Sequence, residues 1–231
     1  PALNSTALSD LPNALLEIRN LAPLSKVTSP LPLNAYVKTG ADGHVLIELL
    51  GEDNRILYRE LKVINYVKPG TSTSITADLD FEIPSTAEMG RLRLSITDEY
   101  NRTVAINSVP LILLSIGDAD IIPPVDLLAP IDVQQPVNNT LVQGGKVLVS
   151  GLARPGGLGT FMVKLITTDG REVGSRLVGI QTPTESGYGS FAIEVPYTVS
   201  QPTPVLLVVH EGAQGINDLI YLSSLEIVVS P

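Results

Sequence analysis

Apolar and polar residues alternate along much of this chain. In Arg91–Asp98, leucine or isoleucine occupies positions 92, 94 and 96, and polar residues occupy the positions between them. A period of two places one face of a β-strand in a core and the other face in water. Phe191–Val195 alternates in the same way, whereas Val205–Val209 is apolar throughout and is expected to be buried on both faces. The pattern predicts a protein built from short strands.

Helical periodicity is confined to the N-terminal region. Ser9–Leu21 is compatible with one short helix, because Ser9 or Asp10 suits the N-cap and Pro12 suits the first turn. The competing interpretation is that Leu15–Ile18 begins the first strand. Elsewhere, short strands separated by turn residues favour an all-β sandwich over an α/β fold.

Two stretches of the chain resemble each other at an offset of 116 residues. Val45–Leu57 reads VLIELLGEDNRIL, and Phe161–Val173 reads FMVKLITTDGREV. Each stretch contains a dipeptide that accepts positive φ, Asp53-Asn54 in the first and Asp169-Gly170 in the second. Such a dipeptide between apolar runs is a strong hairpin signal. We interpret the two stretches as parts of two copies of one domain.

The similarity also predicts the domain boundaries. Phe81–Pro84 matches Ile193–Pro196 at an offset of 112, which indicates a change in loop length between the copies. We expect one sandwich over residues 1–117, with an N-terminal extension at 1–14, and a second over residues 125–231. Residues 118–124 form the predicted linker, which Pro123 and Pro124 stiffen because proline fixes φ.

Composition excludes several classes of protein. The 231 residues include no Cys, so disulfides and Cys-ligated zinc are ruled out. The net charge is −9 and Lys and Arg do not cluster, which argues against nucleic acid and anionic membrane surfaces as partners. The longest apolar runs, Leu111–Leu114 and Val205–Val209, fall far short of the roughly 20 residues of a membrane-spanning helix. Because the chain starts at Pro1, we interpret it as a mature or trimmed fragment, with a cytosolic protein cut for expression as the alternative.

Candidate catalytic residues are few. The two histidines, His44 and His210, fall at unmatched positions of the two similar halves. A catalytic histidine needs both an orienting partner and a nucleophile, and no G-x-S-x-G motif supplies one. The glycine-rich segment Gly156–Thr160 leads into a predicted strand, whereas a phosphate-binding loop leads into a helix. We therefore predict that the protein has no catalytic site and is not an enzyme.

The acidic linker is the candidate metal site. Asp118, Asp120 and Asp126 lie at the predicted junction of the two domains. Calcium takes 6–8 oxygen ligands from carboxylates and carbonyls, so an acidic junction is a candidate calcium site. The alternative is a solvated loop, which we favour because three carboxylates fall short of that number of ligands. No other cofactor is expected.

The opening of each half resembles a known family. The first half contains Ile18-x4-Pro23, then Val27-x-Ser29-Pro30, and the second contains Ile131-x4-Pro136, then Val149-x-Gly151-x-Ala153. These motifs resemble the immunoglobulin-like domain associated with bacterial spore-germination proteins. The resemblance implies two tandem immunoglobulin-like β-sandwich domains in an extracytoplasmic bacterial accessory protein. It implies no catalytic residues.

Our expectation is a non-catalytic structural or interaction module of a bacterial envelope or secreted protein. It would be secreted or displayed at the cell surface, with a lipid anchor in the full-length protein as one option. Its partner would be a protein or another component of the cell envelope. A glycan-binding or peptide-binding module is the alternative, and a hydrolase is the third hypothesis.

Overall fold

The computed structural model describes residues 11–157, 159–181, 186–212 and 219–231. These residues form sixteen β-strands and no helix, which confirms the all-β prediction. The strands of the first sandwich are β1 Leu16–Ile18, β2 Lys26–Thr28, β3 Leu31–Lys38, β4 His44–Leu50, β5 Ile56–Val63, β6 Ser72–Leu79, β7 Ala87–Thr97 and β8 Thr103–Leu114. Those of the second are β9 Ile131–Gln135, β10 Thr140–Val142, β11 Lys146–Ala153, β12 Thr160–Thr167, β13 Glu172–Gly179, β14 Gly189–Pro196, β15 Thr203–Gly212 and β16 Leu219–Val229.

Both sandwiches have the same strand order. In the first, β1, β3 and β6 form a three-stranded sheet, and β5, β4, β7 and β8 are neighbours in that order on the other side of the core, with β2 parallel to β8. In the second, β9, β11 and β14 form a three-stranded sheet, and β13, β12, β15 and β16 are neighbours in that order on the other side, with β10 parallel to β16. This division between two facing sheets is that of an immunoglobulin-like sandwich. The prediction of two such domains in tandem is confirmed.

The contacts within the chain define two compact units. Among the described residues, the first unit holds residues 15–127 and 219–222, and the second holds residues 11–14, 128–212 and 223–231. Of the predicted N-terminal extension 1–14, residues 1–10 lie outside the described residues. Residues 11–14 belong to the second unit instead of the first, because the Ala129 N–H donates to the Pro12 carbonyl at 2.9 Å and Asn13 pairs with Leu128.

Alternate burial builds the core of the first sandwich. Leu92, Leu94 and Ile96 of β7 point inward and are buried, as their spacing predicts. Facing residues of β3 and β4 complete the core, namely Leu33, Ala35, Val37, Val45, Ile47 and Leu49. Burying each large aliphatic side chain contributes about 1.5–3 kcal/mol. The N-terminal segment Leu16–Ile18 pairs with β3 as a strand, so the helical interpretation of this part of the chain is wrong.

The predicted turns and the doubly buried strand are also confirmed. β4 and β5 pair around a turn in which Asn54 has φ 60°, and β12 and β13 pair around Gly170 at φ 81°. Positive φ is the region that Asn and Gly accept most readily. In β15, Val205–Val209 is buried at every position.

The predicted change in offset between the two halves is wrong. Leu31 pairs with Leu79 in the first sandwich, and Val147 pairs with Val195 in the second, so the offset stays at 116 through this strand. Phe81 lies after β6, and the residue 116 positions later is Tyr197, which is buried like Phe81. The match between Phe81–Pro84 and Ile193–Pro196 gave the wrong alignment because an apolar–acidic–apolar–proline pattern fits both the end of a strand and the loop that follows it.

A buried carboxylate organises the loop before β12. Glu211 of β15 is 0% exposed. Its Oε2 accepts the Gly156 N–H at 2.7 Å, and its Oε1 accepts the N–H groups of Gly157 at 2.9 Å and Gly159 at 3.3 Å. The glycine-rich segment therefore binds an anion, but the anion is the protein's own side chain. The registers place Ile96 at the matching position of the first sandwich.

Replacing Glu211 should destabilise the protein. In Glu211→Gln, one carboxylate oxygen becomes an NH₂ donor that faces N–H groups, so we expect a loss of roughly 1.5–3 kcal/mol in the free energy of unfolding. Urea denaturation followed by circular dichroism measures this loss. The matched control is Glu194→Gln, because Glu194 is exposed and pairs with Lys146 at 2.8 Å. That control should lose less than about 1 kcal/mol, and equal losses in the two variants would contradict the assigned role.

Candidate binding site

The predicted calcium ligands are not brought together. Asp120 forms a β-bridge with Lys26, and their side chains form an ion pair at 3.5 Å. Asp118 is exposed and Asp126 is half-buried. Across the described ranges, no group of three or more His, Cys, Asp or Glu side chains is arranged to hold a metal ion. The bridge to β2 directs Asp120 to Lys26, and the structure offers no support for calcium at this junction.

Part of the predicted linker is bonded to the first sandwich. The Ile122 N–H donates to Ser25 Oγ at 3.1 Å, and its carbonyl accepts the Ala22 N–H at 2.8 Å. Together with the Asp120 bridge, these bonds attach residues 120–122 to residues 22–26, which lead into β2. This part of the predicted linker therefore belongs to the packing of the first sandwich.

His44 has a carboxylate partner. Its Nδ1 lies 2.7 Å from Asp42 Oδ2, and its N–H donates to Asp42 Oδ1 at 3.0 Å. Partial burial acts to raise the pKa of Asp42, but hydrogen bonds from the His44 backbone and ring outweigh it and hold that pKa below its usual range. The pair closes the turn before β4 and is partly exposed. Its evident role is to fix this turn.

His210 lies on β15, opposite Met162 of β12. Its Nδ1 is buried and has no hydrogen-bond partner among the described residues. Burial lowers the pKa of His210, the positive charge of Lys164 lowers it further, and Glu172 opposes the shift. His210 therefore favours its neutral form in the folded protein.

A polar cavity opens at one end of the second sandwich. Its volume is about 610 Å³, which falls within the size range of small-molecule sites. It is formed by the β12–β13 turn and the β14–β15 loop. The lining residues are Thr167, Thr168, Asp169, Arg171, Thr198, Val199, Ser200, Gln201 and Thr203. Five of these nine residues carry hydroxyl groups, so the cavity suits a ligand rich in hydrogen-bonding groups.

The same end of the first sandwich is closed by an ion pair. Arg55 Nη2 lies 2.6 Å from both carboxylate oxygens of Glu88, and Nη1 lies 2.7 Å from Asp53 Oδ1. The Glu88 side chain is only 6% exposed. Gly51 makes room for this arrangement, because a Cβ there would lie 2.7 Å from Glu88 Oε1 and 3.1 Å from Arg55 Cζ.

Two substitutions open the second sandwich. The strand registers place Thr167 where the first sandwich has Gly51, and Thr203 where it has Glu88, while Arg171 corresponds to Arg55. The Thr167 hydroxyl bonds to the Asp169 carboxylate and accepts the Arg171 N–H at 3.1 Å. This bond from Thr167 is the main reason that the pKa of Asp169 lies below its usual range. Arg171 thus keeps the position of Arg55 without the carboxylate that closes the first sandwich.

Sequence reasoning missed this site. Its residues come from 167–171 and 198–203, and nothing in the local pattern brings the two segments together. The available signal was the replacement of Glu88 by Thr203, but recognising it required the strand registers. Tyrosines could also supply an exposed platform for a sugar, and of these Tyr66 and Tyr100 are exposed whereas Tyr188 and Tyr197 are buried.

No family model matches the chain, and no curated protein does. The titin domains Z1Z2 in complex with telethonin are similar over 95% of this chain and 98% of theirs, with 11% identity and a TM-score of 0.23. Dimeric latent PorU from Porphyromonas gingivalis is similar over 94% of this chain but only 24% of its own, with 10% identity and a TM-score of 0.26. At such low TM-scores, the fold assignment rests on the strand order and pairing.

In the part of the chain that the structure describes, no helix is long and apolar enough to cross a membrane.

Lowering the pH should destabilise the second sandwich through His210. Its folded-state pKa lies below the ordinary 6.5, so the unfolded chain takes up a proton that the folded protein resists. The stabilising contribution is complete above the ordinary pKa and is lost as the pH falls towards the folded-state value. Urea denaturation at several pH values between 8 and 5 should show wild type losing stability relative to His210→Gln only in the acid range. A stability difference between wild type and His210→Gln that does not change with pH would contradict this assignment. So would a His44→Gln variant whose stability relative to wild type changes with pH in the same way.

Breaking the ion pair of the first sandwich should cost more than changing its counterpart. Glu88→Gln removes the charge that holds Arg55 and leaves the buried end of this pair with weaker bonds, so we expect a measurable loss in the free energy of unfolding, limited by solvent screening at Arg55. Thr203→Ala, at the matching position, should change the free energy of unfolding by about 0.5 kcal/mol or less. Thermal and urea denaturation measure both variants. Similar losses in the two variants would contradict the larger stabilising role that we assign to the Glu88 ion pair.

Proposed function

We propose that this chain is a non-catalytic interaction module of a bacterial envelope or secreted protein, acting outside the cytoplasm. In this proposal the two sandwiches form the scaffold. The second sandwich binds a glycan through the polar cavity between the β12–β13 turn and the β14–β15 loop. The partner is accordingly a glycosylated protein or another glycan-bearing component of the cell envelope.

The observation that carries the proposal is the contrast between two matching turns. An immunoglobulin-like sandwich closes this end with Arg55 and Glu88 in the first domain, so the fold itself does not require an opening there. In the second domain the matching residues leave a cavity of about 610 Å³ with a polar lining. Ligand sites are usually preformed concavities in which well-placed polar groups orient the ligand, and here hydroxyl, amide, carboxylate and guanidinium groups line the opening.

Buried charges elsewhere in the chain serve to hold the fold. Glu48 is held by Arg93, at 2.7 Å and 3.0 Å from its Oε2. Asp98 accepts Arg102 Nε at 2.7 Å, and Glu211 is bound by the glycine N–H groups before β12. Each of these carboxylates is engaged by hydrogen-bond donors of its own domain. This use of charge supports a binding role over a hydrolytic one.

The extracytoplasmic location and the relation to the spore-germination domain are parts of the proposal that rest on sequence motifs. Duplication of one ancestral domain is a further part. It is supported by the offset of 116, which relates β3 to β11 and β6 to β14 residue by residue.

A glycan array tests the proposal directly. The whole chain should bind a restricted set of glycans. Ser200→Trp should abolish this binding, because the indole fills the cavity from an exposed position in its lining. Ala192→Trp is the matched control, since Ala192 is exposed on β14 and does not line the cavity. Loss of binding in both variants, or no glycan bound by wild type, would count against the site, and binding to peptides alone would assign it to peptide recognition.

A further inference from the structure

The first sandwich shows how an arginine at this turn binds a carboxylate. Arg55 Nη2 contacts both oxygens of Glu88 at 2.6 Å. Hydrogen bonds between a guanidinium and a carboxylate are short and strong because both groups are charged. The Glu88 side chain is almost fully buried by the contact. A guanidinium at this point of the fold is therefore suited to hold a carboxylate.

The second sandwich keeps the arginine and the neighbouring aspartate, Asp169, whose carboxylate interacts with Arg171, but it has no counterpart of Glu88. Arg171 and Thr203 line the same cavity, and Thr203 occupies the strand position of Glu88. The Thr203 hydroxyl donates to the Gln201 carbonyl at 2.8 Å, so it is directed along its own loop. A threonine side chain is also shorter than a glutamate side chain, so the cavity that Arg171 lines stays open at this position. The space and the cation together define a site for an external carboxylate.

We propose that the ligand of this cavity is an acidic sugar whose carboxylate binds Arg171 from within the cavity, because the Thr167 side chain occupies the space that the Glu88 carboxylate needs in the first sandwich. This inference rests on the proposed glycan-binding function and specifies the class of glycan. The carboxylate contacts the guanidinium, and the sugar hydroxyls contact the hydroxyl and amide groups of Thr198, Ser200 and Gln201.

The surroundings favour a single carboxylate on a sugar over other acidic ligands. The chain has a net charge of −9, which repels polyanions. Asp169 also lines the cavity, and its carboxylate can accept a sugar hydroxyl but repels a second acidic group. A peptide C-terminus offers the same carboxylate but lacks the hydroxyls that would bond to the remaining lining. The geometry therefore points to a uronic acid unit.

The experiment compares probes that differ in one group. Glucuronic acid and glucose share their ring hydroxyls, and only the former carries a carboxylate. In an NMR titration of the whole chain, glucuronic acid should shift the amide signals of Thr167, Ser200 and Thr203, with an affinity at least about tenfold higher than that of glucose. N-acetylglycine supplies a carboxylate without a sugar and should bind more weakly than glucuronic acid.

Variants separate the carboxylate contact from the cavity as a whole. Arg171→Gln should reduce the affinity for glucuronic acid to that for glucose. The double variant Thr167→Gly with Thr203→Glu recreates the residues of the closed first turn. It should fold with unchanged or higher thermal stability and lose the response to glucuronic acid, because an internal carboxylate then occupies Arg171.

The outcomes distinguish the two proposals. Equal binding of glucose and glucuronic acid at the cavity would overturn the acidic-sugar inference while leaving the glycan-binding function standing. Equal binding of N-acetylglycine and glucuronic acid would overturn the assignment to a sugar. Full binding by the Arg171→Gln variant would overturn the role of Arg171. Only a wild-type chain that binds no glycan at all, on the array or in solution, would remove the proposed function itself.

Discussion

Burial of alternate side chains between two facing sheets is the constraint on which both sandwiches depend. Because successive residues of a strand point to opposite faces, a register that places Val45, Ile47 and Leu49 inside also fixes which residues lie outside. The outer residues and the turns are then free to differ. The two sandwiches share their strand pairing while using different chemistry at matching positions of the loops.

Two matching ends of the sandwiches illustrate this freedom. Before β12, the N–H groups of a glycine-rich loop bind the buried carboxylate of Glu211. Before β4, the corresponding loop uses the backbone, with the Ala41 N–H donating to the Thr97 carbonyl at 3.1 Å. At the opposite end, Arg55 and Glu88 close the first sandwich, whereas the second has a cavity. At both ends, polar groups that would otherwise be buried without a hydrogen-bond partner either bond to another group of the protein or are exposed to water.

The cavity therefore arises from small changes on a common frame. With Thr167 in place of Gly51, a side chain fills the space that the ion pair needs, and its hydroxyl fixes the turn through Asp169. With Thr203 in place of Glu88, the arginine at this turn loses the carboxylate of the facing strand and keeps only that of Asp169 nearby. Both changes leave the apolar positions of the strands untouched, so a binding site can appear at little cost to stability.

Local pattern was sufficient to identify strands, turns and fold class. A period of two marks β7 and β14, the Asp-Asn and Asp-Gly dipeptides mark the two hairpins, and an offset of 116 relates the two halves as far as β6 and β14. These features depend on neighbouring residues, which sequence displays directly. The bonds of Pro12 and Asn13 to residues 128–129, the attachment of Asp120 to Lys26, the partners of Glu211 and the cavity at Arg171 depend on segments distant in the chain. Only the three-dimensional pairing of strands brings such segments together, because register, and not proximity in sequence, decides which side chains meet.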